Sequence, residues 1–107
     1  MKEELSGRAQ ITGCHLSHVY PDGACLYFTM ASMCEDDDAA QSLLNDWWEA
    51  GMRACLAAGG TISHHHGIGR VKAAYLPQEL GEWMGVLRSI KDALDPRGIM
   101  NPGALGL

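Results

Sequence analysis

The tripeptide Pro21-Asp22-Gly23 stands between two runs of β-forming residues, and this arrangement constrains the fold more than anything else in the chain. Proline presets a turn φ, aspartate can bond its own backbone, and glycine accepts a positive φ. Before the turn runs AQITGCHLSHVY, residues 9–20; after it runs ACLYFTMAS, residues 24–32. Both are rich in β-branched and aromatic side chains, so the pair predicts an antiparallel hairpin. In a regular first strand His15 and His18 point to opposite faces, and Tyr20 ends the strand just before the turn.

Beyond residue 35 the periodicity changes. Asp36-Asp37-Asp38 supplies acceptors and negative charge where a helix leaves its first N–H groups unpaired. Leucines 43 and 44, Trp47, Trp48, Ala54 and Cys55 recur at helical spacing. The helix is expected to reach about Ala58, with Gly59 in the left-handed cap position. Thr61-Ile62-Ser63-His64 reads as a short strand, and VKAAYL, residues 71–76, as a short helical stretch. Pro77 opens the last helix, on which Leu80, Trp83, Met84, Leu87, Lys91 and Leu94 form one stripe. Asp95-Pro96-Arg97-Gly98 is a turn before an irregular tail. Residues 1–8 are a ragged polar segment, and one domain is expected over 9–107. The predicted class is α+β: an antiparallel hairpin and short strand with two main helices, completing a larger sheet.

The 107 residues are 47% hydrophobic, enough to expect a real core, with the three tryptophans most simply in it. The net charge of −5 and the lack of a Lys/Arg cluster argue against nucleic acid as a partner. No apolar run approaches the ~20 residues of a membrane span, and the N-terminus lacks the apolar core of a signal peptide. A soluble, cytoplasmic protein is the expectation. Cys14, Cys25, Cys34 and Cys55 form no CxxC pair and read as reduced, half-buried small hydrophobes.

Chemistry concentrates in Ser63-His64-His65-His66-Gly67-Ile68-Gly69-Arg70. Imidazole both accepts and donates a proton near neutral pH, and flanking glycines let backbone approach a ligand closely. Gly67-Ile68-Gly69 before a helix also offers N–H groups to an anion, with Arg70 and Lys72 adjacent. A rival reading is a metal site: His64 and His66 at i, i+2 share a strand face, with further ligands from His15, His18 or a carboxylate. From the residues alone, catalysis and its alternatives stand level.

GGTISHHHGIGRVKAAYL, residues 59–76, resembles a segment of the alkyl-dihydroxyacetone-phosphate synthase branch of the FAD-linked oxidases, the vanillyl-alcohol oxidase-type flavoproteins. HVYPDGACLYF, residues 18–28, is similar to that branch's strand-turn-strand around a tyrosine. LDPRGIMNPGAL, residues 94–105, is similar to the C-terminal close of the superfamily. The triple histidine is the specific part; the DP…NPG ending is generic.

The resemblance implies an FAD-dependent enzyme that replaces the acyl chain of acyl-dihydroxyacetone phosphate by a fatty alcohol at the flavin N5, with no net redox change. It implies a catalytic Tyr20 in proton transfer, and His64, His65 and His66 as base and electrostatic stabilisers. His66, Gly67 and Asn101 are implied on the cofactor side. A sister branch, which oxidises 2-hydroxy acids such as D-lactate or glycolate, usually carries Glu before its His-Gly-Ile-Gly; His65 stands there and favours the synthase-like branch. The family's FAD-binding domain precedes this segment, so the 107 residues are expected to be the cap-domain end and the return to that domain, inactive by themselves, with exposed apolar surface and a homodimeric partner. The competing classes are the small metal-binding module and an interaction domain left after gene decay.

Overall fold

A computed structural model describes residues 5–107. The order is β1 (Ile11–Tyr20), β2 (Gly23–Ala31), α1 (Asp37–Ala57), a 3-10 turn (Ala73–Tyr75), α2 (Leu76–Leu80), α3 (Trp83–Leu94) and a 3-10 turn (Ala104–Gly106). The architecture is α+β, with one two-stranded antiparallel sheet among the described residues. The chain divides into two compact units, one ending at Ala54 and the other beginning at Cys55.

In the first unit β1 and β2 pair from Ile11 opposite Ala31 to Tyr20 opposite Gly23, as the Pro-Asp-Gly turn requires. The register slips between Ser17 and Tyr20: three steps on β1 face two on β2. This is a β-bulge, and His18 inside it has φ 48°, a left-handed value uncommon outside glycine. The bulge overturns the expected alternation. His15 lies opposite Tyr27, and the rings of both His15 and His18 sit 6.1 Å from the Tyr27 ring. The Tyr27 hydroxyl comes within 3.4 Å of His18 Nδ1. Most of the ribbon is exposed, Ile11 and Val19 by 67% and 69%.

Asp36 caps α1: its Oδ1 accepts the Ala39 N–H at 2.8 Å, and Asp37 and Asp38 fill the first turn. The buried residues of this unit are few. Leu5 is 1% exposed and joins Ala50 and Met52, its Cδ2 lying 4.0 Å from where a Cβ on Gly51 would stand. Residues 1–4 of the expected ragged start lie outside the described part, whereas Leu5 and Ser6 are helical and Leu5 packs. Trp47 is half-buried, and its Nε1 donates to the Arg8 carbonyl at 2.8 Å.

The second unit opens on the end of α1. Gly59, at φ 72°, donates to Leu56 O and Gly60 to Cys55 O, both at 2.9 Å. These 5→2 and 6→1 bonds are a Schellman motif, so the Gly59 cap is as expected. The short strand expected at 61–64 is absent: these residues form irregular backbone. Their polar groups go to a side chain instead, with Thr61 Oγ1 and the Ile62 N–H both donating to the Glu79 carboxylate. Ile62 and Leu76 are buried.

The last helix is also two. Gly81, at φ 54°, ends α2 and donates to Pro77 O, and α3 starts two residues later. This turn separates Leu80 from the rest of the expected stripe; Trp83, expected in the core, is 66% exposed, and Leu94 is 75% exposed. Across the described residues five apolar side chains are buried, Leu5, Ala50, Met52, Ile62 and Leu76, a thinner core than the composition suggests. The four cysteines are free; Cys25 and Cys55 are half-buried as expected, whereas Cys14 and Cys34 are exposed.

Candidate functional site

The triple histidine lies in a loop of the second unit, not on a strand. Ser63 Oγ donates to Gly67 O at 2.9 Å and closes the loop around the three imidazoles. Removal of the strand removes the alternation that would set His64 and His66 together against His65. The rings instead form a continuous series. His64 and His65 meet edge-on with Nδ1 atoms 2.8 Å apart, and His65 meets His66 with ring centroids 4.4 Å apart at 85°. All three are exposed.

The loop leaves through Gly67 at φ 75° and Gly69 at φ 56°. A Cβ at either glycine would meet no atom within 4 Å, so space beside this backbone is open to a flat group. No helix follows Gly69 directly: residues 69–71 are turns and 72 a bend, and the Lys72 N–H returns to Ile68 O and the Ala73 N–H to Arg70 O, both at 3.3 Å. Arg70 is committed as well: Nε and Nη2 donate to Pro102 O at 3.0 and 2.6 Å.

That bond ties the tail to the loop, and Leu105 N donates to Gly69 O at 2.9 Å beside it. Asn101 therefore stands with Arg70, Ile99, Pro102 and Ala104 around an open cleft of about 490 Å³. Asn101 has φ 46°, a left-handed conformation that asparagine tolerates better than most residues. Asp95, 7% exposed, organises the turn before the tail. Its carboxylate accepts the Ile99 and Met100 N–H groups at 3.0 and 2.9 Å and the Lys91 ammonium. The Lys91 bond, helped by the two N–H groups, holds the Asp95 carboxyl below its ordinary range.

Tyr20 belongs to the first unit, at the end of β1 and 50% exposed. On the same ribbon desolvation, with Cys25 next, raises the Tyr27 phenol above its usual range. Sequence reasoning missed the Arg70–Pro102 bond, the Glu79 carboxylate over residues 61–62 and the His18 bulge. None carries a local signal, since each depends on a fold that brings distant residues together or on one extra residue in a ladder.

An FAD would find suitable chemistry here. Imidazoles supply hydrogen-bond and proton-transfer groups, and glycine backbone with open space beside it admits a planar ring. No helix among the described residues is long and apolar enough to cross a membrane.

No solved structure shows a significant match to the chain. Among curated sequences it is 37% identical over 98 residues to the alkyldihydroxyacetonephosphate synthase of Dictyostelium discoideum, covering 85% of this chain and 15% of that protein. It is 36% identical over 101 residues to the Trypanosoma brucei brucei enzyme of the same name, covering 94% and 16%. An uncharacterized FAD-linked oxidoreductase of Mycobacterium tuberculosis is 38% identical over 77 residues, covering 71% and 16%. The chain thus spans about a sixth of these relatives' length. The family described as FAD linked oxidases, C-terminal domain, matches residues 2–105, and the chain belongs to that family.

Proposed function

We propose that this chain supplies the reaction-side groups of an FAD-dependent enzyme related to alkyldihydroxyacetonephosphate synthase, and that it exchanges the acyl chain of acyl-dihydroxyacetone phosphate for a fatty alcohol. The observation that carries this reading is the His64-His65-His66 loop opening onto Gly67, in a chain similar over most of its length to two synthases. FAD, when bound, supplies the two-electron and nucleophilic chemistry that side chains lack. His66, Gly67 and Asn101 line its reactive side, and most of its contacts come from a domain outside these residues. His64 and His65 exchange a proton with the substrate and stabilise charge as the acyl-carrying carbon reacts, the acyl group leaving as the fatty acid and the alcohol oxygen taking its place. Tyr20, a half-exposed residue, moves a proton at the substrate.

Exposed Ile11, Leu16 and Val19 on the ribbon support its addition to a larger sheet and a homodimeric enzyme. A cytoplasmic location goes with this reading. The similarity to an FAD-linked oxidoreductase of Mycobacterium tuberculosis supports a second reading, a flavin-dependent oxidation; for that reading we propose a 2-hydroxy acid as the substrate, with His66 assisting at the hydroxyl.

The test is turnover of the full-length protein with acyl-dihydroxyacetone phosphate and a fatty alcohol, and separately with D-lactate or glycolate. His66→Ala should abolish turnover with FAD still bound. Tyr20→Phe should lower the rate strongly with little loss of stability. Wild-type turnover in His66→Ala would sink the assignment, and oxidation of the hydroxy acids alone would select the second reaction.

A further inference from the structure

The last nine residues hold an unusual backbone. Asn101 and Leu105, neither of them glycine, have φ of 46° and 59°. Such residues are strained and persist only where surrounding structure fixes them. Here three basic side chains hold the segment by its carbonyls: Lys91 donates to Met100 O, Arg70 to Pro102 O and Arg88 to Gly106 O. Of these, Arg70 alone comes from the segment that carries the histidines, one residue beyond Gly69. Its fork places two donors on one acceptor, and the Leu105 N–H closes a second bond onto Gly69 O.

We propose that Arg70 is a positioning residue: it straps the C-terminal tail to the histidine loop and so fixes Asn101 and the His64–Gly69 backbone as one piece. The proposal rests on the flavoenzyme reading for its effect on turnover and not for the strap itself. In this role Arg70 acts through the Pro102 carbonyl. Arg70→Met keeps much of the side chain's length and removes both donors. Arg70→Lys keeps the charge and one point of donation but loses the fork.

The experiment is backbone hydrogen exchange on the full-length protein, with FAD-dependent turnover measured on the same samples. In Arg70→Met the amides of residues 101–107 should exchange about tenfold faster, as loss of a charge-assisted bond implies. Those of the hairpin, 11–31, should be unchanged. Turnover should fall about tenfold with substrate KM within about twofold, and Arg70→Lys should restore part of both effects. Unchanged tail exchange in Arg70→Met would overturn the strap. Equal acceleration in tail and hairpin, in Arg70→Met and in Arg70→Lys alike, would show a general loss of stability and overturn it too. Faster tail exchange with intact turnover would overturn the positioning role. If the wild-type protein holds no FAD, the functional reading fails while the exchange comparison still decides the strap.

Discussion

The Nδ1 atoms of His64 and His65 lie 2.8 Å apart, so one ring donates a proton that the other accepts. In a neutral pair this fixes complementary tautomers. The donor keeps its lone pair at Nε2, and the acceptor carries its proton there. Two adjacent, chemically identical side chains thereby become one base and one acid. If this bond sets both roles, substitution of either ring breaks it for both. We expect His64→Ala and His65→Ala to cost similar factors in turnover, and the double variant to cost little more than either single one. A double-mutant cycle on turnover measures this, and additive effects would contradict it.

Asp95 makes the second prediction. Lys91 and the Met100 and Ile99 N–H groups favour its charged form, so its folded pKa lies below the unfolded value of ~3.9. A depressed carboxyl contributes stability that is present above the unfolded pKa and lost as pH falls through the folded one. Asp95→Asn should therefore lower the unfolding temperature at pH 7. The difference from wild type should shrink as the pH is taken below about 4. Thermal unfolding at pH 7 and at lower pH values checks the sign; a gap that widens in acid would refute it.

These residues also show where sequence reading reaches and where it stops. Pro21-Asp22-Gly23, the Asp36 cap and the Gly59 stop were legible because each acts within a few residues of itself. Thr61–His64 was misread because β-branched Thr61 and Ile62 look like a strand, whereas Glu79, far along the chain, takes their donors. Trp83 and Leu94 followed a helical stripe and do lie on one helix, but both stay exposed, because periodicity shows which residues share a face and not whether anything covers it. The histidines were legible as chemistry. Their ring-to-ring series was not, because irregular backbone has no period from which to infer direction.

Gly59 and Gly60 should differ in how they fail. Gly59 has φ 72° and open space around it, so Gly59→Ala meets backbone strain alone, about 1–2 kcal/mol. Gly60 has no positive φ, but a Cβ there would stand 3.0 Å from Cys55 Sγ and 3.3 Å from Cys55 O. Gly60→Ala should cost about 1–3 kcal/mol through that crowding. Cys55→Ala should relieve part of it by removing the nearer atom. Denaturant unfolding of the two single variants and of the Gly60→Ala, Cys55→Ala pair reads this directly. A Cys55→Ala background that rescues Gly59→Ala equally well would show the distinction to be wrong.

The same Cys55 thiol should be the slowest of its kind to react. Burial raises its pKa, Glu79 nearby raises it further, and Lys72 opposes them only in part. The thiol also donates to Thr61 O at 3.3 Å, a bond the thiolate cannot make. Cys34 is exposed. Since the thiolate is the reacting species, alkylation by iodoacetamide at pH 8 should be at least about tenfold slower at Cys55 than at Cys34. Raising the pH should narrow the gap as Cys55 begins to ionise. Lys72→Met should slow Cys55 further, and Glu79→Gln should speed it by removing the like charge. Glu79 also accepts from Thr61 and Ile62, but the glutamine carbonyl can keep just one of those bonds, so some opening of the 61–62 segment adds to the same acceleration. Peptide mass spectrometry of timed samples separates the sites, and equal rates at Cys55 and Cys34 would show that burial does not protect the thiol.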